Sequence, residues 1–239
     1  MLKHLAFLLH AVFDVASIKP SPPRNGSFQA GAQPGGRFVA RNAGVKSLIQ
    51  IAWGVRDFQV LGGPAWASSP TLSDLYDIDA KGDLGDGGIM LPLSALLADR
   101  FKLVVHHESR DQTVYLLDAA KNGPKFPKLK ESAAGTEHYV RMAGPQLVLR
   151  KTSMAQLAFY LSEQPEVRHS VTDNTGMHAD FDLTLDLFPE ATQNPTKPQD
   201  ATLALSIFTA LQQAGLRLVP QKGTEQVLVI DSIQRPSQN

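Results

Sequence analysis

Twice in this chain a short apolar strand runs without a turn into an amphipathic helix, and that repetition restricts the fold more than any other feature. The first copy, RFVARNAGVKSLIQIAWGV at residues 37–55, puts Val45, Leu48, Ile49, Ala52 and Trp53 on one helical face and ends at Gly54, a residue suited to a helix C-terminus. The second, QLVLRKTSMAQLAFYLSE at residues 146–163, puts Met154, Leu157, Ala158 and Leu161 on one face. Laid over each other, Arg41 falls on Arg150, Leu48 on Leu157 and Ala52 on Leu161. Farther along, YDIDAK falls on FDLTLD, matching Asp77 to Asp182. LLADRFKLVV falls on LQQAGLRLVP, matching Leu103 to Leu218, and VYLLDA falls on VLVIDS, matching Asp118 to Asp231. The expected fold class is α+β: two similar strand-helix-strand-helix-hairpin units, with mainly antiparallel sheets and helices packed on one face. A chance match of generic α+β patterns is the reading that competes with duplication.

The connections between these elements set the expected boundaries. Residues 13–123 form the first unit, 124–138 a linker or surface loop, and 139–239 the second unit, with one composite domain as the alternative. Residues 21–36 are rich in Pro, Gly, Ser and Asn and read as a loop. KLVVHH and TVYLLDA, separated by ESRDQ, read as a hairpin, and RLVPQKGTEQVLVID reads as a second one with Gly223 in its turn. At the N-terminus, MLKHLAFLLHAVF has a basic start and a short apolar stretch. Residues 1–12 therefore carry two readings, a short or truncated signal segment and an ordinary first element packed on the core. No apolar run approaches the roughly 20 residues of a membrane helix, so no transmembrane span is expected.

Composition excludes several chemistries. Lys+Arg and Asp+Glu are both 23 in a chain of 239 residues, so there is no basic excess to draw a nucleic-acid partner. There is no cysteine, which removes disulfides, thiolate metal sites and a Cys nucleophile. Neither G-x-S-x-G nor S-x-x-K occurs, and the clusters GAQPGG and KGDLGDGG match neither a P-loop nor a dinucleotide fingerprint. His106, His107 and Glu108 form the most metal-like triplet, but neighbours on a strand point to opposite faces and two ligands do not complete a site. DNTG at residues 173–176 has no second Asp-Thr-Gly to share a proton with and reads as a turn. No catalytic residue, metal or cofactor is expected.

Features present in both halves serve packing more often than function, so candidate residues are sought in one half only. Trp53 and Trp66, the two tryptophans, flank a Gly62–Gly63–Pro64 loop that the second half lacks. Arg100 faces Gly215 in the overlay and so has no basic counterpart. Trp53, Gly62, Gly63, Trp66 and Arg100 are accordingly the candidate ligand-binding residues. The competing reading has Trp53 ending the helix's apolar face and Trp66 capping the core. Arg41 and Arg150 occur in both halves and read as structural, salt-bridged to a neighbouring strand.

Several segments, in order, carry a resemblance: FDVASIKPS, GGRFVARNAGVKSLIQIAWGV, GGPAW, YDIDAK, LLADRFKLVVHHESRDQTVYLLDAAKNGPKF, VTDNTGMHADFDLTLDLFPE and ALQQAGLRLVPQKGTEQVLVIDSIQRPS. Together they resemble the domain-of-unknown-function family 3738, uncharacterised soil-associated bacterial proteins abundant in acidobacteria. The match covers nearly the whole chain. The resemblance implies a signal peptide and a periplasmic or secreted location, and brings no catalytic residues. The expected function is a non-catalytic, extracytoplasmic binding, protein-interaction or sensor module with a protein or cell-envelope partner. The alternative is a hydrolase whose site is assembled from dispersed residues such as Asp173, His106 and Arg100.

Overall fold

The computed structural model describes residues 12–22, 27–68, 71, 74–84, 88–121, 123, 128–144, 146–187 and 206–236. The N-terminal segment read as a signal or first element lies outside these except for Val12, and so does the PEATQNPTKPQD loop. Among the described residues the chain is α+β, with strands that pair mostly antiparallel. It divides into two compact units, residues 1–110 with 226–239, and residues 111–225.

Unit 1 is built on a four-stranded antiparallel sheet. Its strands are β1 (Val15–Pro20), β2 (Gln29–Gln33), β3 (Arg37–Gly44) and β5 (Leu75–Lys81), in the order β1-β5-β3-β2. Helix α1 (Val45–Trp53) follows β3 directly and buries Val45, Leu48, Ile49 and Ala52, the stripe its periodicity predicts. Gly54 closes it in the left-handed conformation at φ 63°, with its N–H on the Gln50 carbonyl. Short β4 (Val60–Gly62), α2 (Ala65–Ser68) and longer α3 (Met90–Arg100) complete the unit. One cluster gathers Phe38, Leu48, Ile49, Ile78, Leu93, Leu97 and Phe101, all fully buried. Burial of each Leu or Ile contributes about 1.5–3 kcal/mol.

Unit 2 has its own antiparallel sheet, β7 (Leu129–Glu131), β8 (Tyr139–Ala143), β9 (Gln146–Ser153) and β11 (Asp180–Asp186), in the order β7-β11-β9-β8. Helix α4 (Met154–Ser162) follows β9 and buries Met154, Leu157, Ala158 and Leu161. Its start is a capping box, in which Ser153 accepts the Gln156 N–H and Gln156 accepts the Ser153 N–H. Short β10 (Val171–Asp173) and α5 (Ile207–Gln213) follow. A second cluster, with Leu129, Leu149, Leu157, Leu161, Leu183 and Leu211, forms this core.

Two long strands, β6 (Val104–Ala119) and β12 (Leu216–Ser232), lie side by side, and both unit boundaries fall inside them. In unit 1, β4 pairs with β12 in parallel, and in unit 2, β10 pairs with β6 in parallel. These strands correct the sequence reading, because each replaces an expected hairpin. ESRDQ has no Gly, Pro or Asn to reverse the chain. Its charges line an exposed strand, with Arg110 Nε donating to Glu108 Oε1 at 3.0 Å two residues away. Gly223 does not turn the chain either: a Cβ there would come 2.7 Å from Val114 Cγ2, so glycine admits a close approach. Two edge strands were also hidden. β2 lies in the Pro/Gly-rich residues 21–36, and β7 lies in the polar stretch 124–138.

One local device occurs in both sheets. Where β3 leaves register with β5 between Ala40 and Ala43, Asn42 takes a left-handed φ of 51°. Its N–H donates to Asp77 Oδ1 at 3.1 Å, Ser21 Oγ donates to the same oxygen at 2.6 Å, and Arg41 Nε stands 3.9 Å from Asp77 Oδ2. In unit 2, Lys151 takes φ 47° at the slip between β9 and β11. Its N–H donates to Asp182 Oδ1 at 3.3 Å, Ser132 Oγ donates to the same oxygen at 2.6 Å, and Arg150 Nε stands 3.8 Å from Asp182 Oδ2. A bulge leaves a backbone N–H without a ladder partner, and here a carboxylate from the next strand accepts it. Arg41 and Arg150 serve that carboxylate, so both are structural.

The helix ends shift one correspondence. Lys102 after α3 and Gly215 after α5 are the left-handed residues, at φ 50° and 80°. An overlay aligned on these two residues sets Leu103 on Leu216 and Arg100 on Gln213, two positions from the expected match.

Candidate binding groove

The residues singled out in the sequence are held by local partners. Trp53 is half-buried against the unit 1 core. Gly62 and Gly63 have φ of 75° and 76°, and both back onto β12: a Cβ on Gly62 would lie 2.9 Å from the Ile230 carbonyl oxygen, and one on Gly63 3.2 Å from Ile230 Cδ1. Here glycine permits strand contact. Trp66 lies under the Arg235 guanidinium, 4.8 Å from ring centre to Cζ. Arg235 in turn donates to Asp74 Oδ1 at 2.7 Å, and Asp74 is 3% exposed. The Arg235 hydrogen bonds, followed by the Thr71 hydroxyl, hold Asp74 below the usual carboxylate range. Arg100 pairs with Asp99 at 3.1 Å and lines a cavity of about 220 Å³ with Phe13, Asp14 and Leu96, which none of the other four candidates lines.

The dispersed-hydrolase residues are likewise engaged. His106 Nδ1 lies 2.9 Å from Asp231 Oδ1, while its Nε2 is 4.0 Å from Glu108 on the same strand face. Asp173 Oδ1 accepts the Thr175 N–H at 2.9 Å and its hydroxyl at 2.8 Å, an Asx-type turn. Among the described residues no group of three or more His, Cys, Asp or Glu could hold a metal ion, and no helix is long and apolar enough to cross a membrane.

A different surface stands out in unit 2. β8 is an outer strand of its sheet. Val140 stands opposite Leu149 and Met142 opposite Leu147, and directly paired residues share a sheet face. Leu147 and Leu149 are buried in the core, so Val140 and Met142 continue the core face outward. They remain 38% and 52% exposed. Across from Val140, α4 presents Phe159, which lies off the helix's buried stripe and is 57% exposed. Between strand and helix lies a groove of about 290 Å³, lined by Val140, Leu149, Thr152, Phe159 and Tyr160, with His138, Gln156 and Glu163 at its polar margin. A second, polar depression of about 530 Å³ shares His138 and Gln156 and adds Thr136, Glu137, Lys151 and Asp180.

The margins are pre-set by local bonds. His138 Nδ1 lies 3.0 Å from the Lys151 carbonyl oxygen, which ties the entry of β8 to the bulge in β9. The capping box fixes Gln156. On the opposite face of β8 the Arg141 guanidinium stacks over Tyr139 at 4.7 Å. Sequence reasoning passed over this surface. Its available signals were the alternation in YVRMA and an aromatic, Phe159, outside the helical stripe.

The model of a family of proteins of unknown function, DUF3738, matches residues 46–233. The match spans most of the chain, which belongs to that family. Comparison with curated proteins and with solved structures finds no match.

Proposed function

We propose that this chain is a non-catalytic binding module, and that the groove between β8 and α4 holds an apolar segment of a protein partner. The observation that carries this reading is the outward continuation of the unit 2 core face by exposed Val140 and Met142, with exposed Phe159 across the groove from Val140. Contiguous exposed apolar surface is a feature of protein interaction sites. A volume near 290 Å³ lies at the small end for metabolite pockets, and suits one or two side chains of a larger partner. The polar residues that would serve a hydrolase are instead spent in turns and ion pairs.

The test is a selection of displayed random peptides on the folded chain, followed by rebinding to Val140→Asp/Phe159→Asp. Both positions are exposed, so thermal stability should change little. Enriched peptides are expected to lose binding to the double variant. Peptides that bind both proteins equally, or turnover of a peptide or ester substrate that a single polar substitution abolishes, would overturn the reading.

The setting of this activity is proposed as extracytoplasmic. The basic, apolar start MLKHLAFLLHAVF supports export, as does the resemblance to a family whose members usually carry leaders. A fusion to alkaline phosphatase, which folds only outside the cytoplasm, should be active, and an inactive fusion at normal abundance refutes export. The two units are further proposed to descend from one duplicated ancestor. The sheet orders β1-β5-β3-β2 and β7-β11-β9-β8 support this, as does the carboxylate-served bulge in each.

A further inference from the structure

Resting on that reading, we infer that the groove's occupant is an extended segment that adds to β8 as a fifth strand, with the order apolar–acidic–apolar at its centre. The argument starts from the edge. β8 pairs with β9 on one side and with no other strand among the described residues. Alternate N–H and C=O groups of an outer strand point away from its neighbour and are available to a further strand. A segment laid there in extended form sends every second side chain toward the groove. Its residues opposite Val140 and Met142 then lie on the groove's side of the sheet, where the one opposite Val140 meets Phe159 and Tyr160, while the residue between them faces the other side.

That middle position is set by Arg141. It is the central residue of β8, is exposed, and stacks on Tyr139 with no ion pair among the described residues. A carboxylate opposite it gains an ion pair across the strands. The same residue argues against a second copy of this chain as occupant. The one antiparallel self-pairing that uses all five β8 residues sets Arg141 opposite Arg141, Val140 opposite Met142 and Tyr139 opposite Ala143. Like charges directly opposite each other are unfavourable.

The test uses the full chain, labelled with nitrogen-15, and two blocked heptapeptides, one centred on Val-Glu-Val and one on Val-Lys-Val. The first should give saturable shifts at the amides of residues 139–143 and at Phe159, with slowed exchange of the outward β8 amides. It should bind about fivefold more tightly than the second, and Arg141→Glu should reverse that order. Methylating one set of alternate peptide amides should abolish binding while methylating the other set leaves it intact, a signature that a helical ligand does not give. Equal binding of the two peptides, tolerance of both methylation patterns, or β8 protection that grows with protein concentration and no peptide would overturn the inference. A helical peptide that binds at Val140 and Phe159 would also overturn it, while leaving the groove itself as the binding site.

Discussion

The outer strands β2 and β8 occupy the same place in their sheets, next to the strand that feeds the first helix, yet their surfaces differ. On β2, Ala30 stands opposite Ala40 and Ala32 opposite Phe38, so the strand itself sets only methyl groups beside these residues. On β8, Val140 and Met142 stand in the comparable positions. The helices differ in the same sense. Gln50 of α1 falls on Phe159 of α4 in the overlay and donates to Asp57 Oδ1 at 3.3 Å, whereas Phe159 is exposed. The carboxylate, serine, arginine and left-handed residue at the bulge occur in both. The shared part is what each sheet needs to stay in register. The part that differs is an apolar edge that stays exposed, and that is where a partner is best sought.

The comparison can be broken at several levels. Leu48→Ala and Leu157→Ala each empty a fully buried site on the first helix of a unit. Both should cost about 2–5 kcal/mol in urea unfolding. Unequal losses, with one near zero, would mean that the helices do not play equivalent roles.

Removing the bulge carboxylate comes next. Asp182 is 7% exposed, so Asp182→Ala strips a part-buried N–H and hydroxyl of their acceptor and should cost roughly 1–3 kcal/mol. Asp77→Ala, at a side chain 26% exposed, should cost less because water can replace the carboxylate. The Asp182 site also sets a pH dependence. Burial pushes its pKa up, but the Ser132 hydroxyl, the Lys151 N–H and Arg150 outweigh that and hold it below the usual carboxylate value. A depressed folded pKa contributes stability that is present above the unfolded value near 3.9, and is lost as pH falls through the folded one. Asp74 and Asp186 are lowered too, by Arg235 and by Lys128. The unfolding midpoint should therefore be flat near neutrality and fall below about pH 4, and Asp182→Asn should shallow that fall.

A smaller effect sharpens the bulge itself. Lys151→Gly should raise stability by roughly 0.5–1 kcal/mol, because a side chain at φ 47° is strained and glycine is not. Asn42→Gly should gain only a few tenths, since asparagine tolerates that conformation. The smallest expected change is at the edge: Phe159→Ser should stay within about 0.5 kcal/mol of the parent in the same unfolding measurement. A larger loss would make Phe159 a packing residue.

Periodicity made the inner part of each unit legible. The stripes of α1 and α4 and the alternation in YDIDAK and FDLTLD reflect faces that are buried, and burial is what writes a period into a sequence. The outer strands β2 and β7 lie mostly open to water, so QAGAQ and LKE carry no such mark. The two supposed hairpins failed for a related reason. Gly223 and ESRDQ interrupt the apolar pattern without reversing the chain, since interstrand crowding and solvent exposure produce the same interruption as a turn. For the site, Gly62 and Gly63 were conspicuous because β12 passes close by, and Trp66 because Arg235 covers it. Glycine and tryptophan are legible wherever geometry is demanding, whether or not a ligand is there. The groove depends on how far α4 leaves β8 uncovered, and no local pattern encodes that.

Because both boundaries fall within β6 and β12, unit 2 is a parenthesis in the chain: it opens at Asp111 and closes at Glu225, and unit 1 resumes after it. Its two ends already meet, with Thr224 Oγ1 donating to Asp111 Oδ1 at 2.9 Å. For a gene designer, the natural excision is therefore the stretch 111–225, rejoined across adjacent strands by a short loop. A cut in the polar stretch near residue 124 would instead leave unit 1 without its returning strand.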